Sequence, residues 1–191
     1  NDLGNRGTGG PLSDTDTFTI NVSGVNDAPV NTVPGAQTTA EDTPRVFSAA
    51  NSNAISIADV DAGSSTVQVT LAGTNGVISL NGISGLAFTD GDGTSDATMT
   101  FTGTLVAVNN ALAGLSYLPT LNFNGTDTLT ITTNDQGNIG TGGAQTDTDM
   151  VSIMVTAVDD PPTITGPDTA EILEDGMRVF SAANGNGLTI V

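Results

Sequence analysis

Apolar and polar positions alternate with a period of two over much of the chain. Phe18, Ile20 and Val22 lie on one side, with Thr17, Thr19 and Asn21 on the other. Val67, Val69 and Leu71, then Leu129 and Ile131, then Val151, Ile153 and Val155 repeat the pattern. Such alternation predicts half-buried strands, and the short runs broken by Gly, Asn and Asp predict an all-β, antiparallel sandwich. One segment departs from it: Leu105, Val108, Leu112 and Leu115 recur at helical spacing. That predicts a short amphipathic helix near 104–114, with Thr104 as N-cap, Gly114 as stop and its apolar stripe over one end of the sandwich. Phe47, Phe101, Tyr117 and Phe180 are expected in the core.

The chain also repeats itself. NDLGNRGTGG at Asn1 recurs as NDQGNIGTGG at Asn134, an offset of 133 residues. The match continues without a gap through Asp14-Thr15-Asp16 and Asp147-Thr148-Asp149 to the phrase RVFSAAN at Arg45 and again at Arg178. This is the signature of a tandem array. It divides the chain into 1–29, the later part of one unit with its hinge; 30–160, a complete unit; and 161–191, the earlier part of a third. The hinges Val25-Asn26-Asp27-Ala28-Pro29 and Val158-Asp159-Asp160-Pro161-Pro162 should be short and extended, because proline restricts the residue before it. Strand edges left unpaired in the two partial units are expected to favour association.

Composition narrows the chemistry. Among the 191 residues, 21 acids oppose three arginines and no lysine, giving a net charge of −18. Nucleic acids and anionic membrane surfaces would be repelled. No apolar run reaches membrane-spanning length, and Asn1-Asp2-Leu3-Gly4-Asn5 has no signal-peptide pattern. The absence of Cys and His excludes disulfides, thiol and Ser-His-Asp nucleophiles and conventional zinc sites. Carboxylates remain, and 18 of the 21 acids are Asp, a residue of turns and ion-binding loops.

Several acids are grouped as calcium requires, since that ion takes six to eight oxygen ligands in flexible geometry. Asn26-Asp27 and Asp159-Asp160 each follow a predicted strand at a hinge. Asp59-Val60-Asp61-Ala62-Gly63 places two carboxylates on one side of an extended stretch before a glycine turn. Asn134-Asp135-Gln136-Gly137-Asn138 closes the strand of Leu129 and Ile131. A weaker candidate is Asp90-Gly91-Asp92-Gly93-Thr94-Ser95-Asp96, which lacks a closing glutamate and also reads as a solvated hairpin turn. Asp14, Asp16, Asp147 and Asp149 read as strand starts that keep an edge soluble. Arg45 and Arg178, equivalent in the repeat, are expected to pair with neighbouring acids. Asn21-Val22-Ser23 and Asn124-Gly125-Thr126 match the glycosylation triplet by letter only.

On the strand-hinge phrase Phe18 to Pro29, Glu41-Asp42-Thr43-Pro44, Asp59-Val60-Asp61 and the Asn134–Asn138 turn, the chain resembles the cadherin-like tandem repeats of large bacterial surface adhesins. The resemblance implies Ig-like or cadherin-like sandwiches in series, with Ca2+ held where consecutive units meet. One junction would use Asn26, Asp27, Asp59, Asp61 and Asp135, completed by a glutamate of the preceding unit. The next would use Glu41, Asp159 and Asp160 with ligands from its neighbour. Where cadherins carry an acidic Asp-Arg-Glu turn, Asn122-Phe123-Asn124-Gly125 offers only neutral oxygens.

The function expected is therefore structural and extracellular: a calcium-stiffened repeat that extends a cell-surface adhesin and supports adhesion. Its partners would be neighbouring repeats, with homophilic or host-surface contact open. The alternative is a module that binds carbohydrate or protein through its sandwich surface, for which the absence of tryptophan leaves no aromatic platform. An enzyme with paired carboxylates is disfavoured, because the two-residue spacings serve calcium equally well.

Overall fold

Alternation becomes a strand where the inward apolar set meets a facing set. The computed structural model describes residues 1, 3 and 7–190. Its main strands are β1 (Val30–Thr32), β2 (Gln37–Ala40), β3 (Arg45–Val46), β4 (Ser56–Ala58), β5 (Thr66–Gly73), β6 (Gly76–Ser79), β7 (Leu86–Asp90), β8 (Thr98–Thr104), β9 (Ser116–Pro119), β10 (Gly125–Asn134) and β11 (Thr146–Thr156). A six-stranded sheet runs β2-β11-β10-β5-β8-β7, a three-stranded sheet runs β3-β9-β6, and β1 pairs with β4. All neighbours are antiparallel except β2, which joins β11 in parallel. The fold is an all-β sandwich.

The inward residues of the large sheet are those given by the alternation. Val67, Val69, Leu71, Leu129, Ile131, Val151, Ile153 and Val155 join Phe47, Phe101, Ile78 and Tyr117 in one buried cluster. Removing such aliphatic and aromatic side chains from water is the main stabilising term, at about 1.5–3 kcal/mol each. Tyr117 keeps its hydroxyl satisfied by donating to the buried carboxylate of Asp127. Burial and that carboxylate together hold the phenol well above its ordinary range. Asp127 also accepts from Asn75 N at 2.9 Å, fixing the turn before β6 onto β10.

The predicted helix is α1 (Leu105–Leu112). Thr104 caps it by accepting from Ala107 N, and Gly114 follows its end in a left-handed conformation. Val108, Leu112 and Leu115 are fully buried, with Leu105 packed at the margin of the core. Asn109 ties the helix to the sandwich edge, because its amide accepts from Ile57 N and donates to Ile57 O, both at 2.8 Å. The alternation offered no signal for that contact.

Three expectations are corrected. Residues 17–22 form no strand, and Phe18, Ile20 and Val22 are exposed, whereas their repeat counterparts Val151, Ile153 and Val155 are buried in β11. Among the described residues no strand lies beside this run as β10 lies beside β11, so its apolar side is left uncovered. Phe180 is 45% exposed while Phe47 is fully buried, because among the described residues only the β-ribbon of Ile164–Thr165 with Thr189–Ile190 stands near it where Phe47 has two sheets. Arg45 does not meet an acid but donates to Gln37 Oε1 at 2.6 Å, and Arg178 donates to the Glu171 carbonyl at 3.0 Å.

What the third unit keeps is one strand pair and one turn. β12 (Ile164–Thr165) pairs with β13 (Thr189–Ile190), at the positions of β1 and β4. The turn of Ser48–Asn53 is repeated at Ser181–Asn186. In each, the asparagine accepts from the serine N–H, at 2.9 Å from Asn53 and 3.0 Å from Asn186. The same asparagine reaches back to the carbonyl of Val46 or Val179. Among the described residues no helix is long and apolar enough to cross a membrane.

Candidate metal-binding junctions

The hinge before the complete unit is held by the loop between β10 and β11. Asn26 N donates to Thr141 O at 3.0 Å, and Thr141 N returns to Gly24 O at 3.1 Å. The buried Asn26 side chain donates to Asp135 Oδ2 at 2.6 Å and to Gly143 O at 2.8 Å. Gln145 in turn donates to the Asn26 carbonyl. The close approach depends on Gly140, at φ +104°, where a Cβ would stand 2.6 Å from Asn26 N; only glycine fits there.

Asp135 organises this loop. It is almost fully buried, which alone would raise its pKa. Hydrogen bonds from Gln145 N, Gly137 N and Asn26 outweigh burial and hold the carboxyl below its ordinary range. Asp61 reaches the same hinge, its Oδ2 accepting from Asp27 N at 2.7 Å. Asp59 Oδ1 turns the 59–62 loop by accepting from Asp61 N at 2.8 Å and Ala62 N at 3.0 Å. Its other oxygen, Oδ2, is buried and has no hydrogen-bond partner.

Asn26, Asp27, Asp59, Asp61 and Asp135 are thus brought to one end of the sandwich by a chain of hydrogen bonds. Every donor atom is oxygen, the chemistry calcium takes, and the orphaned Asp59 Oδ2 is a buried anionic atom of the kind a cation satisfies. Among the described residues no three acidic side chains converge as a ready-made metal cage. Holding an ion would therefore require side chains now bonded to backbone N–H groups to turn toward it.

The other junction is more open. Glu41 is buried and accepts from Val158 N, while its own N–H donates to Thr156 O at 2.9 Å. Glu41, Asp42, Asn122, Asn124, Val158 and Asp160 line an open cleft of about 680 Å³. Asp42 Oδ1 accepts from Asn122 N at 3.0 Å, bringing the neutral Asn122–Gly125 turn to this end. Asp159 is exposed and does not line the cleft.

The Asp90–Asp96 loop is a self-satisfied turn between β7 and β8. Asp96 Oδ2 accepts from Asp92 N at 3.0 Å and Gly93 N at 2.8 Å, and Asp92 Oδ1 accepts from Thr94 N at 2.9 Å. Asp147 accepts from Asn31 N at 2.7 Å and anchors β1. Asn31 and Gln145 went unnoticed in the sequence, since Ile164 and Leu12 stand at their repeat positions. Gly140 and Gly143 do recur as Gly7 and Gly10, which was the available signal for a loop built around close backbone approach.

No protein-family model matches the chain, and no curated protein is detectably similar to it in sequence. A cohesin module from a Clostridium perfringens ATCC13124 family 33 glycoside hydrolase is similar at 9% identity, over 72% of this chain and 100% of that one, with a TM-score of 0.36. A likeness that slight bears on neither fold nor function.

Proposed function

We propose that this chain is part of a calcium-stiffened tandem-repeat stalk on a bacterial cell surface, with residues 30–160 as the complete unit, and that its role is to extend an adhesin. The observation that carries the reading is the network joining Asn26, Asp27, Asp59, Asp61 and Asp135, with Asp59 Oδ2 buried and unpartnered. The repeat of 133 residues and the acidic hinge in each copy support it.

At the first junction Asp27, Asp59, Asp61 and Asp135 would hold Ca2+ together with Asn26, whose carbonyl would have to be released by Gln145 to join them. At the second, Glu41, Asp159 and Asp160 would do so. The ion supplies neutralising charge between carboxylates that otherwise repel one another. The chain's own part is to fix the hinge: the 134–145 loop grips residues 24–26, and Asp61 grips residue 27. At an extracellular-type dissociation constant of about 10⁻⁴ M, millimolar calcium stabilises the bound form by about 1.4 kcal/mol per site. Thermal melting in millimolar calcium should rise by about 3–6 °C per site over chelator. Small-angle scattering should show residues before the hinge held in a narrower range of directions. Unchanged melting and scattering would sink the proposal.

A further inference from the structure

Five asparagines of this chain stand directly before a glycine: Asn75, Asn81, Asn124, Asn184 and Asn186. In that pair a main-chain nitrogen can reach the preceding side-chain amide, because glycine has no Cβ to shield it. The approach needs an amide and a peptide N–H that are both free to turn. Hydrogen bonds at either group hold the two apart.

Four of the five pairs are held. Asn75 N donates to Asp127 Oδ2 at 2.9 Å, its carbonyl accepts from Thr120 N at 2.8 Å, and Gly76 is buried in β6 opposite Pro119. Asn124 is exposed, but Gly125 opens β10 and is locked into the ladder opposite Val155. Asn184 Nδ2 donates to Val179 O at 3.1 Å, and Gly185 N donates to Ala182 O at 3.0 Å. The buried Asn186 is engaged through both side-chain atoms, accepting from Ser181 N at 3.0 Å and donating to Val179 O at 3.1 Å. Asn81 differs. It and Gly82 are exposed, the space around Gly82 is open, and Asn81 N donates to Ala111 O at 3.0 Å, anchoring the loop on α1. Among the described residues neither the Asn81 side chain nor the Gly82 N–H takes part in a hydrogen bond.

We infer that Asn81 is a site of spontaneous modification by water, at which the amide becomes a carboxylate. Gly82 N bonds to Asn81 Cγ, the Cγ–Nδ2 bond breaks, and ammonia leaves with the proton shed by Gly82 N. Water then opens the resulting cyclic imide at one of its two carbonyls. One opening restores the main chain with an aspartate side chain; the other routes the main chain through the side chain as isoaspartate. Either product has exchanged NH2 for OH, and nothing is oxidised or reduced. The rate rises with pH, because the attacking nitrogen must lose its proton.

The new charge falls where the fold opposes it. Asn81 lines an open cleft of about 520 Å³ with Ser84, Thr104 and Asn110, all of them uncharged. Its amide carbon lies close to Gly114, beside the last turn of α1, and the carbonyl end of a helix repels negative charge. The modified chain therefore holds α1 less firmly against the loop before β7. The change needs no calcium and stands apart from the stalk reading.

Peptide mapping by mass spectrometry tests it, on folded protein kept warm at mildly alkaline pH. The mass gain of the NH2-to-OH exchange should appear at Asn81 while the other four asparagines stay unchanged, and in urea all five should convert. Asn81→Asp should melt below Asn81→Gln, with the gap narrowing as salt screens the helix end. Conversion at Asn81 no faster than at Asn124 in the folded chain, or equal melting of the two variants at low salt, would overturn the inference.

Discussion

Asp135 shows how a single carboxylate is made to serve a fold. Burial opposes its charge, yet three donors from Gln145, Gly137 and Asn26 stabilise it and depress its pKa. A group with a folded pKa below its unfolded value of 3.8 contributes stability that is present above that pH. The contribution is lost as pH falls through the folded value. Asp135→Asn should therefore melt lower than the wild type near neutral pH in chelator, with the gap closing below about pH 4. Melting curves across this range check the sign: a gap that widens in acid would contradict the assignment. Asp59 stands in another condition. One oxygen is spent on the 59–62 turn and the other has no protein donor, so its unsatisfied cost is carried until a cation or water meets it.

At the scale of elements, the sequence was legible where side-chain periodicity and burial coincide. The inward sets of β5, β10 and β11 and the stripe of α1 were all visible, because two-residue and helical periods report directly on which face is buried. The same reasoning failed at Phe18–Val22, where the alternation is as clear but no β10 counterpart lies beside it. Periodicity states what a segment can bury, not whether a partner is present. The parallel placement of β2 on β11 was also hidden, since a four-residue polar strand, Gln37–Ala40, carries little pattern. Contacts made by polar side chains to distant backbone, such as Asn109 to Ile57, leave no periodic trace. Removing that amide leaves both Ile57 backbone groups without their partner, and Asn109→Ala should cost about 1–3 kcal/mol in chemical denaturation. A change below about 0.5 kcal/mol would mean that water replaces the contact at little cost.

At the scale of the whole molecule, the acids named as ligands sit in hinges and loops that flank the strands, while the core cluster is apolar and Asp127 beside it is satisfied by Tyr117 and Asn75. The members proposed for the first junction were legible as short motifs, because Asp-x-Asp and Asn-Asp keep their ligating atoms close in sequence. The way they meet was not, since it depends on Gly140 and Gln145 closing the loop over Asn26. In the stalk reading, a hinge gripped by its own loop and cross-linked by an ion transmits direction from one unit to the next, and many such hinges in series make a rod.

The central claim is tested most directly by calorimetric titration of calcium into this chain and into an Asp59→Ala/Asp61→Ala variant. The account predicts saturable binding at a dissociation constant of about 10⁻⁴ M, weakened at least tenfold at the first junction in the variant. No heat of binding at millimolar calcium, or identical isotherms for the two proteins, would contradict it and leave these acids as turn and solubility residues.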